Sequence, residues 1–145
     1  MGRFPQPIGH KGSLRWIQYM VNKSPSVLDS ALGLGLIEWL SPREVDEFAE
    51  YRDIEFLNVL GIKLRKVPLD RFWPRGGPQW DAFGRASSGE VVLLEAKAHI
   101  AEIMSGSSMA GPKSRDIIRK SLESTARALH AEPGVDWRSR FYQYP

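Results

Sequence analysis

The chain has 145 residues, 42% of them hydrophobic and 26% charged, with a formal net charge of +3 and no cysteine. One domain is the expectation at this length, with enough chain to bury a core without staples. The lack of cysteine excludes disulfides, thiolate metal sites and a cysteine nucleophile. The N-terminal MGRFPQPIGHKGS lacks the apolar run of a signal peptide, and no apolar stretch nears the roughly 20 residues that span a bilayer. A cytoplasmic protein with no membrane partner is therefore expected. The mild positive charge permits contact with a polyanion without demanding it.

Residues 1–12, rich in Gly, Pro and basic side chains, read as a flexible basic arm ahead of a single domain over 13–145. Leu14, Ile17 and Val21 then recur at helical spacing, with Ser13 as a candidate cap. Ser24 and Pro25 open a second helix that Gly33 stops. LGLIEWL is short and apolar, a strand or an extended connector. Ser41, Pro42 and Glu44 match an N-cap, a first-turn proline and a capping-box acid. The run PREVDEFAEYRDIEFLNVLG after them predicts one long helix, or two with a bend near Tyr51–Asp53.

IKLRKVPL alternates apolar and basic residues, and predicts an edge strand weakened at its end by Pro68. DRFWPRGGP is a Gly/Pro loop. PQWDAFGRASSGEVVLLEAKAH predicts a hairpin, with strands over 79–85 and 90–98 around a Ser-Ser-Gly turn. Val91 to Leu94 are apolar on both faces, which predicts a central strand. After the loop IMSGSSMAGPKS, the run RDIIRKSLESTARALH predicts a helix with Ile118, Leu122, Thr125 and Leu129 inward. The elements together give an α/β (α+β) layered domain.

Side chains alternate across a strand, so Glu95, Lys97 and His99 share one face while Leu94, Ala96 and Ala98 share the other. A glutamate and a lysine beside an apolar run are costly if merely buried, and must be paired, wet or on a metal. The hairpin brings Asp81 alongside Glu95. Two carboxylates suit Mg²⁺ or Mn²⁺, which take oxygen ligands and keep several waters. Lys97 would then handle charge at a phosphate. Glu50 is the candidate third acid, with Glu44, Glu47 and Glu55 as rivals. The competing reading of Glu95 and Lys97 is a surface ion pair at a strand end.

His99 is a phosphate or metal contact, or a polar strand end. His10 and His130 have no zinc spacing. Lys113, Arg115, Arg119 and Lys120, with Arg127, form a basic helical surface, which suits a phosphate backbone or a solvated face paired with Asp116 and Glu123. Trp137, Arg138, Arg140, Phe141 and Tyr142 interleave aromatic and basic groups, as single-strand stacking surfaces do.

The order of elements, Asp81 followed by Glu95-x-Lys97, and the strings WLSP, EYRD, FWPRGGPQWDA and LLEAKAHI together resemble the PD-(D/E)XK nuclease superfamily, and a family of bacterial proteins that carry its core. The resemblance runs from about residue 38 to the C-terminus. It implies a restriction-endonuclease-like core of helix, three strands and helix, with a small mixed sheet flanked by helices. It assigns Asp81 and Glu95 to metal, Lys97 to catalysis and an acid within 44–55 to the first helix. It implies a Mg²⁺-dependent nuclease acting on nucleic acid, DNA in the first instance. Trp80 stands where the superfamily's name has proline. The final core strand is missing from the sequence, which implies a truncated member and gives the alternative: an inactive remnant of the fold that binds nucleic acid or a protein.

Overall fold

The computed structural model describes residues 2–100 and 110–131. These residues form a mixed α+β structure with two small antiparallel sheets and five helices. They divide into two compact units, one made of residues up to Lys63 with Pro78–Ala98, the other of Leu64–Gly77 with residues from His99 onward.

The first unit begins with β1 (Arg3–Phe4), α1 (Gly12–Lys23) and α2 (Pro25–Leu32). Helical spacing buries Ile17 and Val21 of α1. The helix starts at Gly12, so Ser13 lies inside it and does not cap it. Pro25 opens α2, where its missing N–H costs nothing, and Gly33 ends it with a left-handed φ of 65°. LGLIEWL yields β2 (Ile37–Ser41), with Ile37, Trp39 and Ser41 buried and Glu38 exposed between them.

The long helix expected over residues 42–61 does not form. Glu44–Asp46 make one 3-10 turn, Glu50–Tyr51 make β3, and only Ile54–Val59 are α-helical, as α3. Ser41 ends β2, and its hydroxyl donates to the Ala49 carbonyl instead of capping a helix. The Phe48 N–H closes back onto the Arg43 carbonyl, and Glu47, Phe48 and Asp53 take positive φ, which breaks the helical path. β3 pairs antiparallel with β1, Phe4 opposite Glu50 and Arg3 opposite Tyr51. Residues 2–9 of the expected flexible arm are therefore fastened. Arg3 bonds Asp46 and Glu47, Gln6 donates its N–H to the Glu47 carbonyl, and Gln18 holds both Gly9 and Pro7.

The hairpin forms with shorter strands than expected, β4 (Ala82–Ala86) and β5 (Val91–Leu94). Its turn includes Gly89 at φ 102°, a conformation that favours glycine. The sheet order is β2-β4-β5, and both pairings are antiparallel, so the sheet is not mixed. β4 is central. β5 is an edge strand on which Val91 and Leu93 stay exposed, which corrects its expected double burial. The expected edge strand over 62–67 is irregular chain; β2 fills the place beside β4. Gly84 permits that approach, because a Cβ there would lie 2.5 Å from the Glu38 carbonyl oxygen.

One face of this sheet packs on the helices. Ile17 and Val21 of α1 cluster with Ile37, Trp39, Ala82, Ala86 and Val92, and Leu28, Leu94 and Ala96 pack around them. On the opposite face Phe83 is fully buried, its ring edge-on to Tyr51 at 5.9 Å. That face meets the β3 segment, and it is where the functional groups lie.

In the second unit, α4 (Leu69–Phe72) meets α5 (Pro112–Ala128), and the Ser121 hydroxyl donates to the Phe72 carbonyl. Ile118 and Ser121 are the buried residues of α5, whereas Thr125 and Leu129, expected inward, are exposed. The aromatic–basic tail from Trp137 to Tyr142 lies outside the described residues.

Candidate active site

The register of β4 and β5 sets Ala82 opposite Leu94. Continued by one pair, it brings Asp81 level with Glu95. The junction is sealed by the Ala96 N–H, which donates to Asp81 Oδ2 at 2.7 Å. Ala96 packs against the helix-side core, so the alternation of the extended chain turns Glu95 and Lys97 to the other face. There the Lys97 ammonium pairs directly with Glu95 Oε1. The side chains of Lys97 and Glu95 are only 12% and 24% exposed, so this is no solvated surface pair.

Glu50 reaches the same place from β3. It is buried, and its Oε2 accepts hydrogen bonds from Gln79 Nε2 and from Gln6 Nε2 at 3.1 Å. Burial pushes its carboxyl above the ordinary 4.5; Gln79 opposes the shift, and the charges of Asp81 and Glu95 add to it. Glu95 is likewise pushed up by burial, held back by its hydrogen bond to Lys97 and raised again by Asp81. The three carboxylates thus act on one another electrostatically, as acids gathered in one partly desolvated place do.

The remaining sequence candidates divide. Glu44 is paired with Lys23 and Glu47 with Arg3. Glu55 lies in the first turn of α3 and is not among the charges that shift Glu50 or Glu95. Glu50 is thus the rival from residues 44–55 that joins Asp81 and Glu95, although it stands on a strand and not on a helix. His99 belongs to the second unit, as do Lys113, Arg115, Arg119 and Lys120. Within α5, Arg119 bonds Asp116 and Glu123, and Lys120 bonds Asp116, so these two cations are paired along the helix. Lys113 and Arg115 are exposed. Gln6 and Gln79 were not among the sequence candidates. Gln79 stands two residues before Asp81, a spacing that puts both on one face of an extended chain.

Among the described residues, no group of three or more histidine, aspartate and glutamate side chains is placed to hold a metal ion. The fit to a divalent cation therefore rests on donor chemistry. Asp81 and Glu95 offer hard carboxylate oxygens at neighbouring register positions, which suits Mg²⁺ or Mn²⁺ bound by two acids and several waters. Three acids with one lysine also leave an excess of negative charge that a divalent cation would offset.

No helix among the described residues is long and apolar enough to cross a membrane. Comparison with protein-family models, with curated proteins and with solved structures finds no match.

Proposed function

We propose that the chain is a Mg²⁺-dependent, nuclease-like phosphodiesterase acting on nucleic acid, as its resemblance to the PD-(D/E)XK superfamily implies. The observation that carries this reading is the meeting of Glu50, Asp81, Glu95 and Lys97 on one face at the end of the β4–β5 hairpin. Asp81 and Glu95 would hold the cation. The chemistry it supplies when bound is polarisation of a phosphoryl oxygen and a lowered pKa for an attacking water. Lys97, withdrawn from solvent and leaning on Glu95, keeps a positive charge where the phosphate turns more negative along the reaction. Glu50, with its raised proton affinity, is suited to accept a proton from a water beside the cluster. Ala96 orients Asp81 through its backbone N–H, so that carboxylate is aimed before any substrate arrives.

The pairing of Lys97 with Glu95 favours a second reading, a nuclease-derived module that binds nucleic acid or a protein without cutting, its lysine spent on its own acid. Incubation of the purified chain with single- and double-stranded DNA and RNA in Mg²⁺ or Mn²⁺ separates the two. Cleavage by the wild type that falls at least about a hundredfold in Lys97→Ala and Asp81→Asn supports hydrolysis. Equal cleavage by all three proteins marks a contaminant and overturns it. No cleavage, with calorimetric binding of Mn²⁺ retained, selects the binding module.

A further inference from the structure

The hydrogen bonds to Glu50 carry one step more. Two amide donors converge on a single oxygen, Oε2, from segments far apart in sequence. Gln79 comes from the approach to β4 and Gln6 from the N-terminal stretch. Both are themselves held by backbone pairing to the β3 segment. Gln79 forms an antiparallel bridge with Arg52, two residues beyond Glu50. Gln6 follows β1, whose Phe4 lies opposite Glu50, and its own N–H is bonded to the Glu47 carbonyl. Gly9 and Pro7 are tied to the buried Gln18, so the chain on either side of Gln6 is anchored.

A neutral amide donor has two effects on a buried carboxylate. It supplies a hydrogen bond to the charged form without adding a counter-charge that competes with a cation. Two donors on one oxygen also fix the rotation of the carboxylate, which leaves the other oxygen, Oε1, as the one to turn toward Asp81 and Glu95. Partners of this kind orient the groups that touch a metal and raise affinity for it.

We infer that Gln6 and Gln79 are positioning residues, a pair of amide clamps that aim the Glu50 carboxylate at a divalent cation shared with Asp81 and Glu95. This rests on the cation reading given above, and deepens it. Residues 2–9 then belong to the site, since they deliver one of the two clamps.

The test is calorimetric titration of the full-length chain with Mn²⁺, with thermal melting as the check on folding. Gln79→Leu and Gln6→Leu keep much of the side-chain volume but cannot donate. Each is expected to weaken Mn²⁺ binding about tenfold. In a Glu50→Gln background neither substitution should weaken it further, because the clamps act through Glu50 alone. A purely structural role would lower affinity by the same factor in both backgrounds. If Gln79→Leu does not fold, Gln6→Leu and its double variant decide the matter. Unchanged affinity in the clamp variants, or an equal loss with and without Glu50, overturns the clamp and leaves the cation site standing. A wild type that binds no Mn²⁺ overturns the cation reading, and the clamp with it.

Discussion

Replacing Lys97 with methionine removes the positive charge from the cluster and keeps the length and much of the volume of the side chain. Exposed ion pairs contribute about 0–1 kcal/mol, whereas removing one member of a fully buried pair costs about 3–5 kcal/mol. With Lys97 at 12% and Glu95 at 24% exposure, the pair lies nearer the buried limit, and a loss of about 2–3 kcal/mol at neutral pH is expected. Most of that loss is the cost of leaving Glu95 charged and unpaired beside Asp81. It follows that Lys97→Met, Glu95→Gln should recover most of it, and that lowering the pH until Glu95 protonates should shrink it. Added Mg²⁺ should shrink it too, by supplying positive charge to the same acids, even as any hydrolysis by the variant is lost.

Urea denaturation of wild type, both single variants and the double variant, with and without Mg²⁺, measures all of these quantities in one cycle. A cost below about 0.5 kcal/mol with no recovery in the double variant would mean that the pair behaves as a solvated surface contact. The picture of a desolvated acid cluster would then fail, together with the chemistry built on it.

Stability should fall as pH rises above about 4.5, the ordinary glutamate value, through the raised folded-state values of Glu50 and Glu95. In that window the folded state binds more protons than the unfolded one, so the slope of unfolding free energy with pH is negative. Glu50→Gln should flatten this slope and stabilise the protein at pH 7, as read by urea melts across pH; an unchanged slope would contradict the electrostatics described. Asp46 works in the opposite sense. Despite its burial, which pushes its carboxyl up, Tyr51 and Arg3 hold it below the ordinary 3.8, so its contribution is present above that value and lost as pH falls through the lowered one. That acid limb should survive unchanged in Glu50→Gln. Finally, Gly84→Ala should cost about 1–3 kcal/mol in the same denaturation assay, toward the upper end because the new Cβ meets backbone atoms: the Glu38 carbonyl oxygen at 2.5 Å and Trp39 Cα at 3.1 Å. A change under about 0.5 kcal/mol would show that β2 yields without resistance.

The parts of this fold that were legible from sequence are those decided by neighbours in the chain. Pro25 and Gly33 bound α2 through their own backbone chemistry. The hairpin follows from two strand-like runs around Ser87-Ser88-Gly89, and the opposition of Ala96 to Glu95 and Lys97 follows from a period of two. Where tertiary contacts compete with local signals, the local signals misled. Ser41, Pro42 and Glu44 carry every mark of a helix start, yet the Ser41 hydroxyl is claimed by Ala49 and the Glu44 carboxylate by Lys23. Apolar–basic alternation over 62–67 resembles an edge strand as closely as LGLIEWL does. Only the second has the buried Trp39, whose ring N–H reaches Asp29 of α2 at 3.1 Å, to hold it against the helices.

The strand placement of Glu50 matters beyond the correction of a helix. An acid on an exposed helical turn can sample several rotamers, and its aim depends on packing alone. On β3 the direction of the Glu50 side chain is set by its register with Phe4, and its carboxylate is then gripped from two sides by Gln6 and Gln79. The same register recruits the N-terminal stretch into the site: what strengthens β1–β3 pairing aims Glu50, and what loosens residues 2–9 releases it. Arg3 bonded to Asp46 and Glu47 is the outer lock of that arrangement. Asp81 and Glu95 are held by the hairpin, but Glu50 is held by a strand whose own partner is the first few residues of the chain. The third acid is therefore the adjustable member of the cluster, and the N-terminal segment is the part of the fold that adjusts it.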